Sequence, residues 1–271
     1  MTHREWLEVF QDISLRIRTA VAGMAGTAAA RRELSIGAGG DRTVEIDRLA
    51  EATAIEVLER LRRDGERFSL LSEEIGLRDF GAPYPLLLLD PIDGSLNAKQ
   101  GLPLFGVMLS LLEGPLVGDV VAGHVRNVVS GESWDAIRGD GAYHDGALLK
   151  PLEPSDATRI EVVGLESGPS NIFDARPLLE RAQKVRILGS MALSIAHTAS
   201  GGIDVHCSTI RARVFDMTAS ALMVTEVGGV VTDMKGVSLA GLKAGLDSRT
   251  TLLCSADPRL HALAAEILSG R

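Results

Sequence analysis

The stretch "PLLLLDPIDGSLNAKQG", residues 85–101, decides how this chain is read. Four successive leucines leave no polar face, so the segment predicts a strand covered on both sides. The strand stops at Asp90, Pro91 breaks it, and Asp93 follows in a tight bend that turns back toward Asp90. Two carboxylates at the edge of a core repel each other and lose hydration, so positive charge belongs beside them. Oxygen donors on a rigid strand end suit a hard cation such as Mg²⁺. The plain alternative is a turn, because Asp-Pro and Asp-Gly steps are common turn formers and a lone D-x-x-D is more often that.

Further acidic positions repeat the pattern. Glu73 closes the apolar run "LLSEE", again a carboxylate where a strand leaves the core. Asp47 in "TVEID" and Asp216 in "FDMTASALMVTEVGG" each open a helical pattern, where an N-terminal cap is the ordinary explanation. Each case has a bland reading, but the coincidences accumulate.

Around these positions the chain reads as mixed α/β. Trp6, Val9, Phe10, Ile13, Ile17, Val21 and Met24 recur at three- and four-residue spacings, which predicts a long amphipathic helix within residues 4–30. The glycine-rich "SIGAGGDRTVEID" follows as a mobile loop, then a helix from about Arg48 to Arg63. Apolar runs at 67–73, 85–90, 104–113 and 117–129 predict strands, the last two joined as an antiparallel hairpin through "GPL". From about residue 158, strands alternate with helices, the signature of a layered α/β unit. The proline-bearing "KPLEPSDAT" marks the boundary, giving an N-terminal α+β half at 1–150 with the metal motif and a C-terminal α/β half at 151–271.

Composition narrows the function. The 271 residues suffice for a large core, and a formal net charge of -8 gives no reason to expect nucleic-acid binding. Cys207 and Cys254 lie far apart in apolar surroundings and read as buried hydrophobes rather than a disulfide or zinc set. No signal-peptide core opens the chain and no apolar run approaches the roughly 20 residues of a membrane span, so the expected location is cytoplasmic. His124, His197 and His206 lack metal-ligand spacing and read as packed residues.

At this point the chain resembles the inositol monophosphatase superfamily. "DPIDGSLN" is similar to its D-P-[IL]-D-G-[ST]-x-N signature, and "FDMTASALMVTEVGG" to its second signature. "TVEID", "LLSEE", "RGDGAYHDG" and "LGSMALSIAHTASGGIDVH" fall in the family's order, over roughly residues 40–235. "DGSLNAKQGLP" and "RARVFD" look most like the archaeal-type branch, whose members often act on both inositol 1-phosphate and fructose 1,6-bisphosphate.

The resemblance implies a layered α/β/α/β/α sandwich, usually a homodimer, and a Mg²⁺-dependent phosphate monoester hydrolase. Glu73, Asp90, Asp93 and Asp216, with the carbonyl of Ile92, would bind two or three Mg²⁺ ions. Catalysis would rest on Asp47, Glu73 and Ser95: metal would activate a water for in-line attack on phosphorus, with Ser95 and Asp47 orienting it. Backbone N–H groups of Gly94 and Ser95 would hold the phosphate. Asp93 and Asp216 would also meet the substrate, with Gly189 and Ser190 on the sugar side. The loop at 35–43 would close over the site. Where animal-type members carry a glutamate that binds inositol hydroxyls, this chain has Thr209, followed by Arg211 and Arg213, which could read a second phosphate. Two alternatives stand beside this reading. One is a 3'(2'),5'-bisphosphate nucleotidase or NADP phosphatase of the same superfamily; the other is a non-catalytic metal-binding regulator, which the retained carboxylates argue against.

Overall fold

The computed structural model of the chain describes residues 1–38, 42–152 and 158–270. Its layers run helix, sheet, helix, sheet, helix. One outer layer is α1 (His3–Ala20) and α2 (Glu45–Arg63), joined through the small hairpin β1 (Glu33–Ile36) and β2 (Arg42–Val44). They cover a large sheet with the spatial order β10 (Ala147–Leu148), β9 (Gly141–His144), β8 (Ser133–Ile137), β7 (Val120–Asn127), β6 (Gly106–Leu112), β5 (Leu86–Asp93), β3 (Ser69–Ser72), β4 (Gly76–Asp79). All neighbours in it are antiparallel except β3 and β5. The short α3 (Ser95–Gln100) follows β5.

The middle layer is α5 (Met191–Ala199) and α6 (Val214–Glu226). Behind it lies the second sheet, ordered β12 (Ala182–Arg186), β11 (Ile160–Glu166), β13 (Val205–Arg213), β15 (Arg249–Ser255), β14 (Val230–Thr232). The outer face of that sheet carries α4 (Arg176–Leu179) and α7 (Pro258–Ser269). The layered α/β/α/β/α arrangement expected from the resemblance is therefore the observed one.

The four leucines of β5 explain themselves in this frame. Leu86 and Leu88 join the core with α5 and α6, whereas Leu87 and Leu89 join the core with α1 and α2. A strand alternates its side chains between faces, so a sheet covered on both sides needs apolar residues at every position. Each buried leucine contributes on the order of 2 kcal/mol. The central helix follows the same logic: every residue from Val214 to Val224 is buried. Its small residues let it lie close on the large sheet, and a Cβ at Gly123 of β7 would stand 2.8 Å from the Ala219 Cα.

Four elements differ from the sequence reading. The first helix ends at Ala20, because Gly23 and Gly26 adopt positive φ in a run of turns. The apolar spacing runs on past it because Val21 and Met24 still pack on the same core. Within the part where strands and helices were expected to alternate, "ARPLLERAQ" forms only a single helical turn before the chain enters β12 at Ala182. The antiparallel β15 and the closing α7 were not foreseen. The boundary segment expected at 150–158, between halves at 1–150 and 151–271, contains residues 153–157, which lie outside the described residues, as does the centre of the 35–43 loop at 39–41. No helix among the described residues is long and apolar enough to cross a membrane.

Candidate active site

The carboxylates converge because three element ends do. In the parallel pair β3 and β5, Ser72 lies opposite Leu89, so the next residues, Glu73 and Asp90, leave the sheet side by side. The Glu73 N–H still donates to the Leu89 carbonyl at 3.3 Å. Between Asp90 and Asp93 the pairing with β6 slips: Asp90 faces Met108 while Asp93 faces Gly106, a bulge that lifts Pro91 and Ile92 out of register. The Ile92 N–H folds back to donate to Asp90 Oδ1 at 3.0 Å. From the middle layer, Asp216 enters in the first turn of α6.

Glu73, Asp90 and Asp216 each place one oxygen within 4.8 Å of the others. Burial comes first in raising Asp90 well above the ordinary carboxylate range, and repulsion from Glu73, Asp93 and Asp216 adds to it. The compensating charge is Arg213, which is ion-paired with Glu73 and lies 3.1 Å from Asp216 Oδ1. Burial alone would lower its pKa, but Asp216, Glu73 and Asp90 outweigh that and hold it charged. One cation among these acids leaves the cluster electrostatically short, and an all-oxygen, closely spaced donor set fits a hard divalent ion. Glu73, Asp90 and Asp216, three of the five residues expected as ligands beside Ile92 and Asp93, are brought together and would be able to hold such an ion.

Asp47 and Asp216 show that cap and site readings are compatible. Asp47 Oδ2 accepts the Val44 N–H at 3.1 Å at the opening of α2, while Oδ1 accepts the Ser95 hydroxyl at 3.0 Å. Asp216 Oδ2 likewise accepts the Arg213 N–H at 3.0 Å and leaves Oδ1 to the cluster. Ser95 Oγ also lies 2.9 Å from the Ile92 carbonyl, which ties it to the metal motif. Burial pushes Asp47 up to about 7, with Glu74 adding repulsion against the Val44 and Ser95 hydrogen bonds.

Asp93 behaves differently from the bend expected of it. Instead of facing Asp90 alone, it reaches the opening of α5, where the Ser190 hydroxyl donates to Oδ2, the Ala192 N–H donates to Oδ2 at 2.9 Å and the Met191 N–H to Oδ1 at 3.1 Å. Burial still raises it to about 7 despite those donors. Asp93 therefore pins the middle helix layer to the end of β5.

These groups surround a cavity of about 330 Å³ lined by Asp47, Glu73, Glu74, Asp90, Ile92, Asp93, Gly94, Ser95, Leu96, Glu166, Gly189, Met191, Ile210, Arg213 and Asp216. Gly94 caps α3 at φ +92°, and a Cβ there would come 2.9 Å from the Gly189 carbonyl, so glycine is required for the two loops to meet. Asn97 holds the same junction, donating to Leu104 O at 2.6 Å and Leu188 O at 2.7 Å. Ser190 is buried behind Gly189, under Asp93. Arg211 is exposed and outside the cavity lining, its guanidinium 3.4 Å from the Arg249 carbonyl. Thr209 is buried, its hydroxyl donating to Ser167 at 2.7 Å.

Two lining acids escaped the sequence reading. Glu74 follows Glu73 in "LLSEE" and accepts the Thr43 hydroxyl, so the signal was the doubled glutamate itself. Glu166 ends β11 in "VVGLES", another acid at an apolar strand's exit, which is the same signal that singled out Glu73. Burial pushes Glu166 up to about 7, and Asp93 and Asp216 add to the shift.

A second buried cluster invites a catalytic reading and does not support one. His124 places Nε2 2.7 Å from Ser14 Oγ and Nδ1 2.6 Å from Asp135 Oδ1, the spacing of a nucleophilic triad. Ser14 and His124 are wholly buried, and Ser14 also bonds the Gln11 carbonyl at 2.9 Å and Arg126 Nε at 2.9 Å. No ester could reach it; the cluster bolts α1 to the large sheet.

Fold and acidic cavity together define a phosphoric monoester hydrolase of the layered α/β/α/β/α type. The chain matches the profile of the inositol monophosphatase family over residues 6–270 and belongs to that family. It is 30% identical over 267 residues to a fructose-1,6-bisphosphatase/inositol-1-monophosphatase of Methanothermobacter thermautotrophicus, covering 94% of each chain. It is 26% identical over 287 residues to a bifunctional NADP phosphatase/NAD kinase of Methanococcus maripaludis, covering 98% of this chain and 50% of that protein. In fold it matches a Pyrococcus horikoshii protein with similarities to inositol-1 monophosphatase, with a TM-score of 0.82, 22% identity and 98% of each chain covered. These relatives support the archaeal-type branch of the family.

Proposed function

We propose that the protein is a Mg²⁺-dependent phosphatase acting on inositol 1-phosphate, fructose 1,6-bisphosphate or both. The observation that carries this is the meeting of Glu73, Asp90 and Asp216 in one cavity with Asp93 and the Ser95–Asp47 pair. Bound Mg²⁺ would supply the positive charge that polarises the phosphate and makes water nucleophilic there. The protein's own part is placement. Ser95, held between Asp47 and the Ile92 carbonyl, orients a water by its hydroxyl, and Asp47, whose pKa burial raises, is placed to accept a proton through it. Gly94 and Ser95 bring their backbone to the phosphate, and Arg213 shields Glu73 and Asp216. The expected homodimer and cytoplasmic location belong to the same proposal.

The Methanococcus relative favours a second reading, removal of the 2'-phosphate of NADP. The test is phosphate release by the purified protein with Mg²⁺ from inositol 1-phosphate, fructose 1,6-bisphosphate and NADP, with EDTA and Asp93→Asn controls. Turnover that needs metal and Asp93 supports the mechanism, and the ranking selects the reading. Absence of turnover on every substrate, with Mg²⁺ bound, would refute the enzyme assignment for this set.

A further inference from the structure

Glu166 has no place in the arrangement just described. It lines the cavity at the C-terminal end of β11, opposite Ser208 of β13 and on the side formed by Gly189 and Ile210. It is not one of the three acids whose oxygens cluster within 4.8 Å. Its Oε2 is buried yet has no hydrogen-bond partner. A buried carboxylate oxygen left without a donor is unfavourable and uncommon in native interiors, so it calls for an explanation. Because the Glu166 side chain also lines the cavity, rotation of its carboxyl group would let a ligand bring the missing donor.

The position of the gap indicates which donor. The side chains of Ile210 and Leu96 offer no hydrogen bonds to a ligand, and Thr209 spends its hydroxyl on Ser167. Arg213, the one lining cation among the described residues, is engaged with Glu73 and Asp216. The alcohol side of the cavity thus presents an acceptor and no uncommitted cation. A hydroxyl suits that acceptor, whereas an anionic group would face a carboxylate at close range.

Resting on the phosphatase reading, we propose that Glu166 determines specificity by accepting a hydrogen bond from a hydroxyl on the alcohol portion of the ester, selecting polyhydroxylated monophosphates over substrates that bring a second anionic group to this side. Ester cleavage itself needs nothing from Glu166. The bond broken remains the phosphorus to alcohol-oxygen bond, with water as the other reactant and inorganic phosphate and the free polyol as products.

The test compares steady-state kinetics of the full chain with Mg²⁺ on inositol 1-phosphate, on p-nitrophenyl phosphate, which has no hydroxyl, and on fructose 1,6-bisphosphate. Glu166→Ala removes the acceptor and is expected to lower kcat/KM for inositol 1-phosphate about 10- to 100-fold, mainly through KM, while p-nitrophenyl phosphate changes less than about threefold. Glu166→Gln keeps an acceptor oxygen without the charge; it should recover much of the inositol 1-phosphate loss and raise the preference for fructose 1,6-bisphosphate by roughly tenfold. The Mg²⁺ concentration for half-maximal rate should stay unchanged in both. Equal losses on all three substrates, or a shifted Mg²⁺ requirement, would overturn the proposal in favour of a structural or metal-binding role. Wild-type protein inactive on every ester would instead refute the phosphatase reading underneath it.

Discussion

Two buried polar clusters among the described residues, one around His124 and one around Asp90, have opposite characters. The Ser14, His124, Asp135 and Arg126 group is closed: Asp135 accepts from His124 and Gln11, and Arg126 donates to Ser14 and to the Gly131 carbonyl. The group around Asp90 is open. Its carboxylates outnumber the cations, burial raises Asp90, Asp93, Asp47 and Glu166 together, and Glu166 keeps an oxygen with no partner. The first cluster is complete as it stands, so its contribution is to stability; the second is completed only by something the chain does not contain. Geometry resembling a catalytic triad therefore says little by itself, and an excess of buried like charge around a cavity says much more.

The sharpest break in this comparison is Asp90→Asn. It removes a carboxylate from the open cluster while keeping an oxygen for the Ile92 N–H, so phosphate release is expected to fall at least ~10³-fold. The metal-free protein should nonetheless melt a few degrees higher, because a repelled, desolvated charge is gone. Calorimetry beside a phosphate assay reads both; a large loss of stability would mean that Asp90 is a structural anchor. The matching change in the closed cluster is Asp135→Ala, which strands His124 and Gln11 and should cost about 3 kcal/mol, seen as a lower Tm with kcat nearly intact. A collapse of kcat in folded Asp135→Ala would erase the distinction between the clusters.

Next in size is the response to pH without metal. Asp47, Asp93 and Glu166 are raised to about 7 from the ordinary range near 4, so the folded state holds protons that the unfolded state has released. The contribution of these three groups to stability is then fully present near pH 4 and falls as pH climbs from about 4 through about 7, with a Tm loss of roughly 5–10 °C over that range by calorimetry in EDTA. Mg²⁺ should remove most of that slope, since its charge replaces the protons, and its stabilisation should be larger at pH 8 than at pH 5. A flat metal-free profile would contradict the frustration assigned to the open cluster.

What could be read from the sequence follows the same division. The two-sided burial of β5 was legible because four leucines admit no other strand, and Asp90, Glu73 and Asp216 because each acid ends or opens an apolar run. The end of α1 was not, since Val21 and Met24 keep the helical spacing after glycines have broken the helix. Nor was the orientation of Asp93, because nothing local announces that a residue 98 positions later, Met191, will present its N–H there. Arg213 was legible as a cation near the site, but its pairing with Glu73 joins positions 140 residues apart. Glu166 carried the same strand-end signal as Glu73 and lacked only a neighbouring motif to draw notice.

The smallest expected effect probes where the open cluster touches its own scaffold. Ser95 Oγ sits 3.0 Å from Asp47 Oδ1 and 2.9 Å from Ile92 O, so its hydroxyl joins α2, the metal motif and α3 in one short chain. Ser95→Ala leaves the charges of the cluster in place and removes only this bridge. The expected result is a fall in kcat of about tenfold with KM and Mg²⁺ dependence little changed, because orientation of water is lost while binding is kept. Ser95→Thr should restore the rate, since threonine supplies the same hydroxyl at the same first helical position. The pH profile discriminates further: the Ser95 hydrogen bond lowers the Asp47 pKa, so its loss should raise that pKa relative to wild type and move the acidic limb of kcat to higher pH. A rate loss with that limb unmoved would detach Ser95 from Asp47 and leave it a simple cap on α3.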